Sequence, residues 1–289
     1  MILQILLLLL GALALLLAIG WLGLQVPSPP FELPTAGADP RRVPIPAGLP
    51  SPVERYARIL FGESIPVFDT AMITGHARLS PFGLPMPTRF RFYYDVRRSS
   101  HYHEIHVTWF TRPILRIHER NLEGHVTLHL SLLGSVDDQP KTNRAGIQGY
   151  WAEALAWLPS IVLTDSRVQW VPIDETSARL MLPGLDDVEA FTVRFDPNTG
   201  LMTDVETMRY QAEEHTERWH WHNSVSAWGT VDGLRVPTAS PSRWNDSKPW
   251  ATWIIDHIAL NADVAARFAR FGGEITSAAG AAPSPQPSA

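Results

Sequence analysis

Residues 89–110 read RFRFYYDVRRSSHYHEIHVTWF, and this stretch decides the fold class. Arg89 to Tyr94 and His103 to Phe110 alternate polar and apolar side chains, the period of half-buried antiparallel strands. Working outward, Ile114 to Glu119 and His125 to Leu132 continue the pattern. Thr192 to Phe195 meets the turn Asp196-Pro197-Asn198-Thr199-Gly200, and a strand resumes from Leu201 to Tyr210. A hairpin runs from Trp219 through Trp228, turns at Asp232-Gly233 and returns through Leu234 to Val236. Trp250 to Leu260 supplies a last strand. A run of about ten hairpin-linked strands predicts an α+β protein that is mainly antiparallel β, with a curved sheet or incomplete barrel.

Helices interrupt this rhythm. YWAEALAWLPSIVL, residues 150–163, is apolar nearly all round and too long for a typical strand. Trp151 to Leu158 therefore reads as a buried helix ended by Pro159, the element around which the sheet packs. Ser51-Pro52-Val53-Glu54 has a Ser cap, Pro at the first helical position and Glu three residues after the Ser. Val53, Tyr56, Ala57 and Leu60 give that helix one apolar face, and Gly62 stops it. A final helix is expected from Ala262 to Phe271, before Gly272-Gly273.

The ends carry different information. Ile2 to Val26 contains no charged residue, and as a helix it would span about 37 Å, enough for a hydrocarbon core of about 30 Å. Residues 1–26 are read as a transmembrane anchor. A removed signal sequence is the alternative, with Ala12-Leu13-Ala14 or Ala18-Ile19-Gly20 as cleavage-like triplets. Arg41 and Arg42 follow the run and by themselves favour a cytoplasmic domain. The globular part is nevertheless expected outside the cytoplasm, because long domains translocate largely regardless of such charges. Nine prolines between residues 27 and 52 make 27–50 an extended linker that holds a single β-rich domain, 51–274, off the bilayer. Residues 275–289 are Ala/Pro/Ser-rich and read as a disordered tail.

Composition narrows the function. The absence of cysteine excludes disulfide scaffolds, thiolate zinc sites, cysteine nucleophiles and a lipidated-cysteine anchor. A net charge of -5 with no basic block argues against a nucleic-acid partner. Only Lys141 and Lys248 among the 24 basic residues are lysines, so the charge chemistry belongs to arginine. There is no Gly-x-Ser-x-Gly elbow, phosphate-binding glycine loop, His-Glu-x-x-His or dinucleotide fingerprint, and no cofactor is expected.

Several motifs resemble an uncharacterised bacterial family known only as a domain of unknown function. They are Trp151-Ala152-Glu153-Ala154 with Trp157-Leu158-Pro159, and Val168 to Asp174 with Ala178-Arg179. Phe195-Asp196, Gly200, Arg209-Tyr210 and Val231 to Thr238 extend the likeness to roughly Gly146–Leu260, while Gly75–Gly134 matches more loosely. The Asp-Gly turn followed by Arg-x-Pro-Thr is also similar to the incomplete β-barrels of bacterial lipoprotein carriers. That resemblance implies a curved antiparallel sheet wrapped around helices, with acyl chains held in the hollow.

The candidate site residues follow. Glu153 lies among Trp151, Ala154, Leu155 and Trp157, where an ionised carboxylate is costly unless paired. It is either a general acid or base of a hydrolase, or the partner of an arginine such as Arg179, Arg194 or Arg209. Trp157, Trp170, Trp221 and Trp228, with Arg179 and Arg209, are candidates to line a cavity for a lipid-like ligand. They serve equally well as ordinary core. His101 and His103 share one strand face, with Glu104 and His106 on the other, and His220 and His222 share another face. Two His-x-His pairs on adjacent strands would make a metal site; solvent-facing histidines explain them as well. Asp174, Asp196 and Asp232 sit in or beside turns, where Asp has local structural uses. The expected protein is thus membrane-anchored and binds or carries a hydrophobic ligand. A hydrolase or a purely structural envelope protein are the alternatives.

Overall fold

The computed structural model describes residues 2–81 and 83–269. The tail at 275–289 and the end of the closing helix, Phe271 to Gly273, lie outside the described residues. A long helix, α1 (Ile2–Gln25), comes first, followed by a two-stranded pair, β1 (Arg41–Pro44) with β2 (Ser64–Val67). Between those strands runs α2 (Ser51–Phe61), which buries Val53, Tyr56 and Ala57 as its apolar spacing requires. Its cap is Pro50 and not Ser51, and Glu54 turns to Arg58 at 2.9 Å, so the expected capping box does not form.

The first half of the main sheet is β3 (Thr70–Leu79), β4 (Met86–Asp95), β5 (Ser100–Trp109), β6 (Arg112–Leu122), β7 (His125–Leu130) and β8 (Gly134–Asp137). Two helices then cross the concave face, α3 (Pro140–Trp157) and α4 (Ser160–Thr164), broken at Pro159 as the sequence predicts. The second half is β9 (Gln169–Pro172), β10 (Ser177–Met181), β11 (Phe191–Phe195), β12 (Met202–Arg209), β13 (Trp219–Ser224), β14 (Ala227–Val231), β15 (Leu234–Trp244) and β16 (Ala251–Leu260). A short helix, α5 (Ala265–Ala269), follows.

These strands form one antiparallel, curved and open sheet in the order β8-β7-β6-β5-β4-β3-β16-β15-β13-β12-β11-β10-β9, with β14 paired to β15. Consecutive strands are neighbours within each half except β13 and β14, which both pair with β15, and the halves meet where β3 pairs with β16, from Ala71 opposite Leu260 to Leu79 opposite Ala251. Gly75 permits this close seam, since a Cβ there would stand 2.2 Å from the Ile254 carbonyl oxygen. The β14–β15 turn has positive φ at both Asp232 (45°) and Gly233 (80°), the conformation that matches the twist of a two-residue hairpin. The strand expected from Trp219 through Trp228 is split between β13 and β14, because β15 is long enough to pair with both.

The concave face is filled. α3 touches β6, β7, β12 and β15, strands from both halves. Trp157 packs with Phe90, Phe92 and Trp253, and Tyr56 packs with Phe195 and Trp228. The helix begins eleven residues before the expected Trp151, at Pro140. Its first part is less apolar, and it is held by docking: Lys141 Nζ donates to Glu213 O at 2.8 Å and His215 O at 2.7 Å.

Residues 27–50 do not stand clear of the domain as a spacer. Prolines lack N–H donors but keep their carbonyls, and the strap is held mainly by donors from the sheet. Arg89 donates to Pro29 O at 3.1 Å and Asn261 to Ala38 O at 2.9 Å, while Gly37 N reaches Leu260 O at 3.0 Å. The Phe31 ring lies against the Arg89 and Arg91 guanidinium groups, 4.6 and 4.5 Å from its centroid. Just before the strap, Trp109 Nε1 donates to Gly20 O at 3.0 Å and Phe110 N to Gly23 O at 3.1 Å. The end of α1 therefore adjoins the Trp109 end of β5.

Candidate functional site

The inward faces of β4, β5 and β6 meet α3 in a polar network. Phe92 pairs with His103 and Tyr94 with His101 across β4 and β5; His103 pairs with Glu119 across β5 and β6. One α3 side chain, Glu153, reaches down to them. Its Oε2 accepts from the Tyr94 hydroxyl at 2.7 Å and lies 3.0 Å from His103 Nε2. Glu119 Oε1 lies 2.9 Å from His101 Nε2 and 3.9 Å from His103 Nδ1. The His101 and His103 rings stack 4.1 Å apart, nearly parallel at 8°.

This settles the partner of Glu153. Arg179 donates to the Asp187 carbonyl, Arg194 pairs with Glu206, and Arg209 donates to Ala145 O at 3.0 Å. A histidine and a tyrosine stand where an arginine was expected, because β4 and β5 are the strands that run beneath this turn of α3. Burial draws the His101 imidazole below its ordinary range, and His103 beside it adds to the effect. Burial acts the same way on His103, but the Glu153 charge and hydrogen bond outweigh it and raise its pKa. Burial pushes Glu119 up, yet the hydrogen bond from His101 and the charges of His103 and Arg209 bring it down to about 2. The geometry lets His101 Nε2 donate to Glu119, and the Glu153 carboxylate favours a proton on His103.

The remaining candidates disperse. Trp157 and Trp221 are buried, and the Arg209 guanidinium sits 5.4 Å from the Trp221 ring and 5.7 Å from that of Trp244. Trp170 donates to Val162 O and Trp228 to Met202 O, both at 3.0 Å, so each ties a loop or helix to the core. The two His-x-His pairs are not on adjacent strands: β5 and β13 are separated by β4, β3, β16 and β15. Each pair has carboxylates of its own, Glu119 and Glu153 for the first, Asp204 and Glu206 for the second. The turn aspartates serve the backbone, Asp174 accepting from Thr176 N, Asp196 from Asn198 N and Thr199 N, and Asp232 from Ile258 N.

An open cleft of about 390 Å³ lies elsewhere, at the rim. The β4–β5 turn contributes Arg97, Arg98 and Ser99, the β6–β7 turn Glu123 and Gly124, and α3 contributes Ile147, Tyr150 and Trp151. Arg167 closes it, donating to Ser99 Oγ at 2.7 Å and Asp165 Oδ2 at 2.6 Å, 5.9 Å from the Trp151 ring. A second, mostly apolar groove of about 120 Å³ runs beside it, lined by Val67, Phe68, Val96 and Ile161. Val96 adjoins Arg97 in the chain, and Asp165 lies on the groove side of Arg167. Tyr150 stacks on His101 at 6.1 Å, so it is the wall between the cleft and the buried network. None of the three arginines forms a sequence motif; they converge only through the turn and the loop after α4.

An open antiparallel sheet wrapped around one helix, with an apolar helix before it, defines the class. The chain belongs to a family of unknown function, DUF6544, whose model matches residues 42–254. Among solved structures it is similar to a DUF1329 family protein from Desulfovibrio piger ATCC 29098 at 10% identity and TM-score 0.43, over 77% of this chain and 94% of that one. It is also similar to a LolA superfamily protein from Nitrosomonas europaea at 12% identity and TM-score 0.42, over 73% and 92% of the respective chains. No curated protein matches the sequence. α1 is long and apolar enough to cross a membrane as a single-pass anchor, and a signal sequence has the same character.

Proposed function

We propose that this protein binds a lipid-like, amphipathic ligand with an acidic head group, at the rim of a membrane-anchored domain outside the cytoplasm. The observation that carries the reading is the 390 Å³ cleft, which lies in the range of small-molecule sites and sets Arg97, Arg98 and Arg167 against the aromatic wall of Tyr150 and Trp151. Guanidinium groups suit a carboxylate or phosphate, and the apolar groove beside Val96 and Ile161 suits a chain. Arg97 and Arg98 are exposed and, among the described residues, pair with the likewise exposed Asp69 and Glu123, so their partners exchange at little cost. The ligand seat is thus the rim, since aromatic side chains fill the space between the sheet and α3.

A hydrolase centred on Glu153 has less support. Glu153, His103 and Tyr94 converge, but His103 and Tyr94 are buried, and none of the three lines the cleft or its neighbouring groove. The test is a titration of the full chain in nanodiscs with a long-chain fatty acid and with its methyl ester, followed by tryptophan fluorescence. The acid is expected to bind at least about tenfold more tightly, a difference that Arg98→Ala/Arg167→Ala abolishes. Equal binding of acid and ester, or an affinity unchanged in the double variant, overturns the reading.

A further inference from the structure

The outer face of β12 and β13 carries a second constellation that the proposed ligand site does not use. Alternate residues of neighbouring strands project to the same side, and here they are Asp204 and Glu206 on β12, with His220, His222 and Ser224 on β13. Glu206 stands directly opposite His222, and Asp204 directly opposite Ser224.

We propose that Glu206, His220 and His222 form a binding site for a zinc-class divalent cation, with Asp204 beside His222 as an outer partner. The nitrogen and oxygen atoms are spaced more widely than in a strong charge-assisted pair, the hydrogen bond between His222 Nδ1 and Asp204 Oδ1 being a long one at 3.4 Å. His220 Nε2 lies 3.4 Å from Glu206 Oε2, and His222 Nδ1 lies 3.4 Å from Asp204 Oδ1 and 3.8 Å from Glu206 Oε2. Those separations exceed an ordinary charge-assisted hydrogen bond of about 2.7–2.9 Å. Tetrahedral bonds of about 2.0–2.1 Å place neighbouring donors about 3.3–3.4 Å apart. The donor atoms of Glu206, His220 and His222 all lie within 4.8 Å of one another, close enough to converge on one ion with small rotations.

Each carboxylate is also oriented from behind. Arg194 holds Glu206 by Oε1, which leaves Oε2 turned towards the histidines. Ser224 Oγ donates to Asp204 Oδ2 at 3.0 Å, which leaves Oδ1 facing His222. Outer partners of this kind fix the direction of metal ligands. Arg194 on β11 and Arg243 on β15, opposite His222, flank the patch, and the two carboxylates offset their charge. The balance fits micromolar and not picomolar affinity. Two imidazoles select zinc, nickel or copper over magnesium and calcium, which prefer all-oxygen sites. The donors are half-buried and accessible, with His220 38% exposed, so an ion can enter without opening the sheet.

The experiment is calorimetry of the untagged full chain in nanodiscs with zinc chloride. One zinc ion per chain is expected, weakened at least about tenfold by His222→Ala and by Glu206→Gln, and unaffected by excess magnesium. His220→Asn, at the most exposed position, should weaken binding while leaving the melting temperature unchanged, and so separates ligation from folding. His103→Ala controls for the buried pair and should leave the binding intact. No saturable zinc binding, binding that survives His222→Ala and His220→Asn, or binding lost in His103→Ala overturns the proposal.

Discussion

The protein contains the same motif twice, with opposite outcomes. On the inner face, His101 and His103 meet Glu119 and Glu153 at 2.9 and 3.0 Å, so each imidazole Nε2 has a carboxylate partner, while His101 Nδ1 is buried without one. On the outer face, His220 and His222 meet Glu206 and Asp204 at 3.4 Å, and the carboxylates are instead held by Arg194 and Ser224. About half an ångström separates a closed hydrogen-bonded network from an open set of donors. The inner pair shows that histidine and carboxylate on neighbouring elements are a structural solution when burial forbids an unpaired charge. The outer pair keeps water access and has no such obligation.

The largest effect that can break this comparison is the loss of one inner carboxylate. Glu153→Ala removes the carboxylate that holds the buried His103 and leaves the Tyr94 hydroxyl without its acceptor, a cost of about 3–5 kcal/mol. Glu206→Ala, in a half-exposed pair, should cost less than about 1 kcal/mol. Thermal melts of the two variants check this, and equal losses would erase the distinction. Next in size is Tyr94→Phe, which removes one hydrogen bond to a charged group and should cost about 1.5–3 kcal/mol by denaturant unfolding.

A third effect is a dependence on pH. Burial, with Arg89 and Arg116 nearby, holds His106 down from 6.5 to about 4, so the folded protein resists a proton that the unfolded chain accepts. Stability is therefore present above pH 6.5 and is lost as pH falls from 6.5 towards about 4. Below 4.5 the depressed Glu119 adds a further loss, down to about 2. His103 acts in the opposite sense: its raised pKa contributes fully below 6.5 and fades as pH rises through its folded value. Melting temperatures across pH 4 to 6.5 should fall on acidification, and His106→Gln should flatten that slope. An unchanged slope in the variant would show that His106 is not responsible.

Much of the fold was legible because it is written in local periods. Alternation between Arg89 and Leu132 predicted β4 to β7, and Asp232-Gly233 predicted the turn before β15. β3 was missed: Thr70–Leu79 mixes small residues with Gly75, whose purpose is set by Ile254 on a strand far away in sequence. The first turns of α3 were missed because Lys141 and its neighbours depend on docking to Glu213 and His215. Glu153 stood out because its carboxylate interrupts an apolar helix, but its partners did not. Which side chains lie beneath it is fixed by the register of β4 and β5, and no spacing in the sequence encodes that. The cleft was invisible for the same reason, since Arg97, Arg98 and Arg167 come from two loops that only tertiary structure brings together.

The seam between β3 and β16 has a consequence for synthesis. Each half-sheet is built mostly from sequential hairpins that can pair as they emerge, whereas the joint between them waits for Ala251–Leu260, the last strand among the described residues. Until then β3 has one uncovered edge with its donors and acceptors bare. A nonsense codon before Ala251 would leave that edge permanently open, so truncation from the final strand onward exposes an internal edge of the sheet as a template for aggregation.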